Sequence, residues 1–192
     1  MYKRQGAHTA GLDVARLHSG DPSVYSAMAE QMRRLDAEGV PYDVVPGVPS
    51  FAAAAASLKR ELTVPGVAQT VVLTRTSARS TPMPPGEELA AYAATAATLV
   101  LHLAVQRMDE LAPELAAHYG DDCPVAVVAK ASRDDELVLR GTLADIAQQV
   151  TDAGVRRTAV VIVGRVLTAG EFPDSHLYST TRERSSGVDP SA

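Results

Sequence analysis

The stretch VARLHSGDPSVYSAMAEQM, residues 14–32, decides the reading of the fold. Residues 14–18 alternate apolar and polar side chains and stop at Ser19-Gly20-Asp21-Pro22, the pattern of a strand running into a tight turn. Val24, Met28, Met32 and Leu35 follow at three- and four-residue spacings, which predicts a helix over 23–38 closed by Gly39. Working outward, residues 42–45 predict a second strand that ends at Pro46-Gly47-Val48-Pro49-Ser50. An alanine-rich helix is then expected over 51–58, with Ser50 as its N-cap. A strand-loop-helix unit met twice points to an α/β fold with a parallel sheet.

Further along, Val71, Val72 and Leu73 mark a buried strand over 69–75, and residues 76–86 crowd Ser, Thr, Arg, Pro and Gly into a loop. That change of composition sets a lobe boundary, giving an N-terminal lobe over 1–75, an interlobe loop over 76–82 and a C-terminal lobe over 83–178. Within the second lobe the pattern predicts helices at 87–97, 108–119 and 144–153, and strands at 98–103, 124–129 and 159–163, with 137–140 leading into Gly141-Thr142-Leu143. The polar tail over 179–192 is expected to be loose.

Composition limits the partners. A net charge of -5 argues against nucleic acid as the main ligand, because phosphate binding shows as a basic excess. Cys123 is the only cysteine, so neither a disulfide framework nor a multi-cysteine zinc site can be built in one chain, and a cytoplasmic protein is expected. The apolar-looking stretch over 89–105 is interrupted by Tyr92 and His102 and falls short of a membrane span.

The candidate chemistry sits in the two Gly/Pro loops. Gly20 lets a ligand approach the backbone, and Asp21 can accept hydrogen bonds from ribose hydroxyls or an amino group. The plainer reading makes this a turn with Asp21 as a helix cap. The loop at 46–50 ends the next expected strand at the same sheet edge, so the two loops could line one pocket. No Gly-x-Gly-x-x-Gly, Walker-type loop or Gly-x-Ser-x-Gly elbow is present, which disfavours dinucleotide, phosphoryl-transfer and serine-hydrolase chemistry. The histidines at 8, 18, 102, 118 and 176 form no metal-spaced pair, so no metal site is expected. His18 and His102 read more readily as structural histidines than as pocket residues. Arg133-Asp134-Asp135-Glu136 reads as a solvated turn.

Several segments in order resemble the tetrapyrrole methylase family: ARLHSGDPSVYSAMAEQM (15–32), VVPGVPSFAAAAA (44–56), ELTVPGVAQTVVLTR (61–75), PVAVVAKAS (124–132), RGTLADI (140–146) and VVIVGRVL (160–167). The third is similar to the branch of that family that methylates C11 of precorrin-4. The resemblance implies two α/β lobes that hold S-adenosyl-L-methionine, and a C-methyltransferase activity on precorrin-4, its cobalt form or a related anionic tetrapyrrole. It implies cofactor contacts at Gly20, Asp21, Val24, Pro49 and Ser50, and main-chain contacts at Leu103 and Ala131. Pro49 stands where the family usually has Ser or Thr. A substrate rich in carboxylates calls for cationic side chains, with Arg75 and Arg79 in the interlobe loop the first choices and Lys130 and Arg133 the next. A homodimer is expected. The family also begins with a strand and a Gly-Pro-Gly loop ahead of the segment matching Val14, so the parallel-sheet lobe is expected to be incomplete and the chain alone poorly stable and inactive.

Overall fold

The computed structural model describes residues 2–77 and 81–173, and the chain divides into two units, Met1–Ala53 and Ala54–Ala192. The first holds helices α1 (Tyr2–Thr9) and α2 (Met28–Ala37) and the start of α3 (Ser50–Leu58). Residues 12–18 and 40–49 are neither helix nor strand, so the strands expected at 14–18 and 42–45 do not form. Alternation decides which way side chains point, but a strand also needs a partner to complete its ladder, and no strand is found among the described residues of this unit. The parallel sheet expected there is absent with them.

The helix expected over 23–38 is shortened at its start. Residues 22–27 form a turn instead, in which Tyr25 and Ala27 take left-handed backbone (φ 52° and 55°) and the Ser26 hydroxyl donates to the Pro22 carbonyl. Its end follows the expected pattern: Gly39 has φ 64°, its N–H donates to Asp36, and Val40 N–H reaches back to Leu35 O at 3.0 Å. At α3 it is the Pro49 carbonyl, not the Ser50 side chain, that receives the first N–H groups, those of Ala52 and Ala53.

The second unit is built on a five-stranded mixed sheet of β1 (Val71–Arg75), β2 (Thr98–His102), β3 (Pro124–Ala129), β4 (Leu137–Thr142) and β5 (Ala159–Val163), in the order β1-β2-β5-β3-β4. β1 and β2 are parallel, and the other three pairings are antiparallel. The boundary expected at 76–82 is therefore misplaced. β1 is hydrogen-bonded to β2 over its whole length, which makes it a member of the second unit rather than the end of the first.

All residues of β2 and β3 are buried, as their unbroken apolar runs require. On one face, Leu99, Leu101, Val125, Val127, Val161 and Val163 join a cluster with α5 (Met108–Tyr119) and α6 (Ile146–Asp152). α5 offers Met108, Leu111, Ala112, Leu115 and Tyr119 at helical spacing, carries Asp109 and Glu110 in its first turn, and stops at Gly120 (φ 85°). The short α4 (Leu89–Ala93) adds Ala93. Residues 57–62 are tied to the sheet by Arg140 Nη2 on Leu58 O (3.2 Å) and Thr98 Oγ1 on Leu62 O (2.9 Å). No helix among the described residues is long and apolar enough to cross a membrane.

Candidate functional site

In the first unit the two Gly/Pro loops are brought against each other. Gly20 (φ 76°) sits with its α-carbon turned toward the second loop, so that a Cβ there would lie 3.5 Å from Val48 O and 3.9 Å from Ser50 N. Asp21 joins the loops directly: Oδ2 accepts the Gly47 N–H at 2.7 Å, and Oδ1 accepts the Ser23 N–H at 2.8 Å together with the Ser23 hydroxyl. Hydrogen bonds from the Ser23 hydroxyl and from the Gly47 and Ser23 amides hold this carboxyl below the usual carboxylate range, so it is ionised at neutral pH. Gly20 and Ser50 are exposed, and Val24 and Pro49 are half-buried.

In the second unit, the sheet topology sends the carboxyl ends of β1, β2 and β3 to one edge. Register sets Arg75 beside His102, His102 beside Val160, and Val160 beside Val128. Just past that row the backbone is irregular: Leu103, Lys130, Ser132 and Thr158 all take left-handed conformations, with φ of 55°, 56°, 66° and 56°. For non-glycine residues this costs roughly 1–3 kcal/mol each, and such strain gathers at functional sites. Lys130 N–H donates to Thr158 O at 2.7 Å, and Leu103 is 75% exposed beside the buried His102. Burial holds the His102 pKa below its ordinary value, favouring the neutral ring.

The described cationic candidates, Arg75, Lys130 and Arg133, are already engaged. Arg75 Nη1 donates to the carbonyls of Thr76 (3.1 Å) and Thr81 (2.8 Å), and Nη2 to Pro82 (3.2 Å), so the guanidinium gathers the loop that follows its own strand. Lys130 and Arg133 both pair with Asp135, at 2.5 and 3.2 Å, across an exposed turn between β3 and β4. Arg79 lies outside the described residues. The described residues include no cluster of metal-ligating side chains.

The chain matches the family described as Tetrapyrrole (Corrin/Porphyrin) Methylases over residues 5–147. It is 67% identical over 178 residues to the precorrin-4 C(11)-methyltransferase of Rhodococcus erythropolis, covering 93% of this chain and 72% of that protein. This chain belongs to the tetrapyrrole methylase family. Among solved structures, a cobalamin biosynthetic enzyme, cobalt precorrin-4 methyltransferase, superposes with a TM-score of 0.83 at 38% identity, covering 86% of this chain and 70% of that one. The uroporphyrin-III C-methyltransferase of Thermus thermophilus, in complex with S-adenyl homocysteine, superposes with a TM-score of 0.69 at 29% identity over 87% of this chain and 73% of that one.

Within this tetrapyrrole methylase, then, the two glycine loops expected from sequence lie against each other, and Leu103 and Ala131 lie just past the ends of β2 and β3. Sequence reasoning missed the hydrogen bond from the Gly47 amide to Asp21 and the left-handed conformations of Lys130, Ser132 and Thr158. Gly47 lies in a Pro-Gly dipeptide that is a turn signal in its own right, so the signal was visible but not its partner. Left-handed lysine, serine and threonine leave no trace in sequence.

Proposed function

We propose that the chain is an S-adenosyl-L-methionine-dependent C-methyltransferase acting on C11 of precorrin-4 or of its cobalt-containing form, in corrin-ring biosynthesis. The observation that carries this reading is identity of 67% across 93% of the chain to a precorrin-4 C(11)-methyltransferase. The residues present suit a ligand held by main-chain groups: Gly47 leaves no room for a Cβ where the two loops meet, Gly20 takes left-handed backbone there, and the exposed Leu103 is left-handed as well. In the first unit the candidate cofactor residues are Gly20, Asp21, Val24, Pro49 and Ser50. In the second they are Leu103 and Ala131.

When bound, S-adenosyl-L-methionine supplies an electrophilic methyl group on a sulfonium. The chain's own part is to bind, orient and exclude water, for which no protein nucleophile is needed. Arg75 and Arg79 are assigned to substrate carboxylates, Arg75 through the guanidinium donors that its three carbonyl partners leave over. The reading includes a homodimer in the cytoplasm.

Incubation of the purified chain with precorrin-4 and the methyl donor tests this, read as a mass gain of one methyl group located at C11 by NMR. Methylation at another ring carbon would reassign the substrate, and binding of the donor without turnover would leave a ligand-binding module. Arg75→Ala is expected to raise the apparent KM for the tetrapyrrole while leaving donor affinity nearly unchanged. Equal loss of both would give Arg75 a structural role only.

A further inference from the structure

We infer that Asp21 is a latch that holds the 46–50 loop on the 19–22 loop and so places the main-chain groups of both; the functional part of this inference rests on the reading above. Both carboxylate oxygens are occupied from within the protein, Oδ2 by the Gly47 N–H at 2.7 Å and Oδ1 by the amide and hydroxyl of Ser23. The bond to Gly47 spans 26 residues of sequence. An ionised acceptor makes it about twice as strong as a neutral hydrogen bond.

A second, independent observation lies on the other side of the same contact. A Cβ at Gly47 would overlap the carbonyl oxygen of Gly20 and stand 3.1 Å from its carbonyl carbon and 3.4 Å from Asp21 Cα. The carboxylate draws the loops together, and the missing side chain lets them close. Gly20, Pro49 and Ser50 lie on these loops, so the placement of their main-chain groups depends on Asp21 and Gly47 jointly. The absence of any buried residue from 6 to 53 leaves such polar contacts to set local geometry.

The test uses the full chain with Asp21→Asn, Asp21→Ala, Gly47→Ala and the double variant Asp21→Ala/Gly47→Ala. Without ligand, the Gly47 amide proton is expected to lie downfield and exchange slowly in the native protein, and to lose both properties in Asp21→Ala. With S-adenosyl-L-homocysteine as probe in calorimetry, Asp21→Ala and Gly47→Ala should each weaken binding roughly tenfold or more. The double variant should be no weaker than the worse single one, because both act on one contact. Asp21→Asn keeps the shape and one acceptor oxygen and should fall between native and Asp21→Ala, which guards against reading an unfolded variant as a lost latch. Losses that multiply in the double variant, or a Gly47 amide indifferent to Asp21→Ala, would overturn the inference. Failure of the native chain to bind the probe would count against the functional reading, while the amide measurement would still decide the latch.

Discussion

In the unit Ala54–Ala192, every residue of β2 and β3 is buried, whereas no residue from 6 to 53 is buried and Leu17 and Val45 there are 92% and 78% exposed. The two Gly/Pro loops, Gly-Asp-Pro at 20–22 and Pro-Gly-Val-Pro-Ser at 46–50, lie in the unit without a core. A packed sheet is held by apolar area removed from water, at about 25 cal/mol per Å2. A loop with no buried residue to anchor it can instead be held by a carboxylate and a glycine, as at Asp21 and Gly47. Sheet packing and loop geometry are therefore written in different residues of this chain.

The largest contrast should be in hydrogen exchange. Amides in the central strands β2, β3 and β5 should exchange about a thousandfold or more slowly than those of residues 40–49, since core ladders open only with global unfolding. Limited proteolysis should likewise cut within 1–53 before it cuts within the sheet-bearing stretch 98–163. Uniform protection along the chain would break the comparison. Next in size, Leu101→Ala, at a fully buried position of β2, should cost about 2–5 kcal/mol in a denaturant melt. Leu17→Ala should stay within about 0.5 kcal/mol.

A smaller effect is expected at Tyr119, whose hydroxyl donates to Ala97 O at 2.7 Å and whose pKa is pushed up to about 12, mainly by burial and then by the Cys123 thiol. Tyr119→Phe should cost about 0.5–1.5 kcal/mol near neutral pH. Because the folded-state pKa is raised, the folded state holds its proton longer than the unfolded chain. The contribution is complete below the ordinary value of 10.0 and is lost as pH rises toward about 12. The melting temperature of the native protein should therefore fall across that interval more steeply than that of the Phe variant. The smallest change belongs to the exposed Arg165–Asp122 pair, at 2.8 Å: Asp122→Ala should shift the melt barely measurably, and less still in high salt.

Sequence was a good guide where one element could be judged on its own. The bounds of α5, β3 and β5 follow from apolar runs and from Gly120 and Gly164 at their ends. It was a poor guide where pairing decides. Residues 14–18 and 42–45 alternate as strands do, yet alternation says nothing of whether a neighbour is there to bond them. Val71–Arg75 was legible as a strand but not as the partner of Thr98–His102, because order along the chain does not reveal order in a sheet. The solvated turn at 133–136 was read correctly, though not the β3–β4 hairpin that it closes. At the candidate site the loops were legible from glycine and proline, while the Asp21–Gly47 bond was not.

The position of β5 has a consequence for synthesis. Among the described residues, the last strand to leave the ribosome is the middle one of the sheet, inserted between β2 and β3. From the moment β2 is complete, about sixty residues must still be added before β5 is finished, roughly 3–12 s of translation at ~5–20 residues per second. Over the later part of that interval, once β3 has ended at Ala129, the nascent chain carries two buried-type strands with no companion between them. The moment of greatest exposure to chaperones and to misassembly thus comes just before the sheet closes, and a stop codon anywhere ahead of Ala159 would release a chain whose centre is missing.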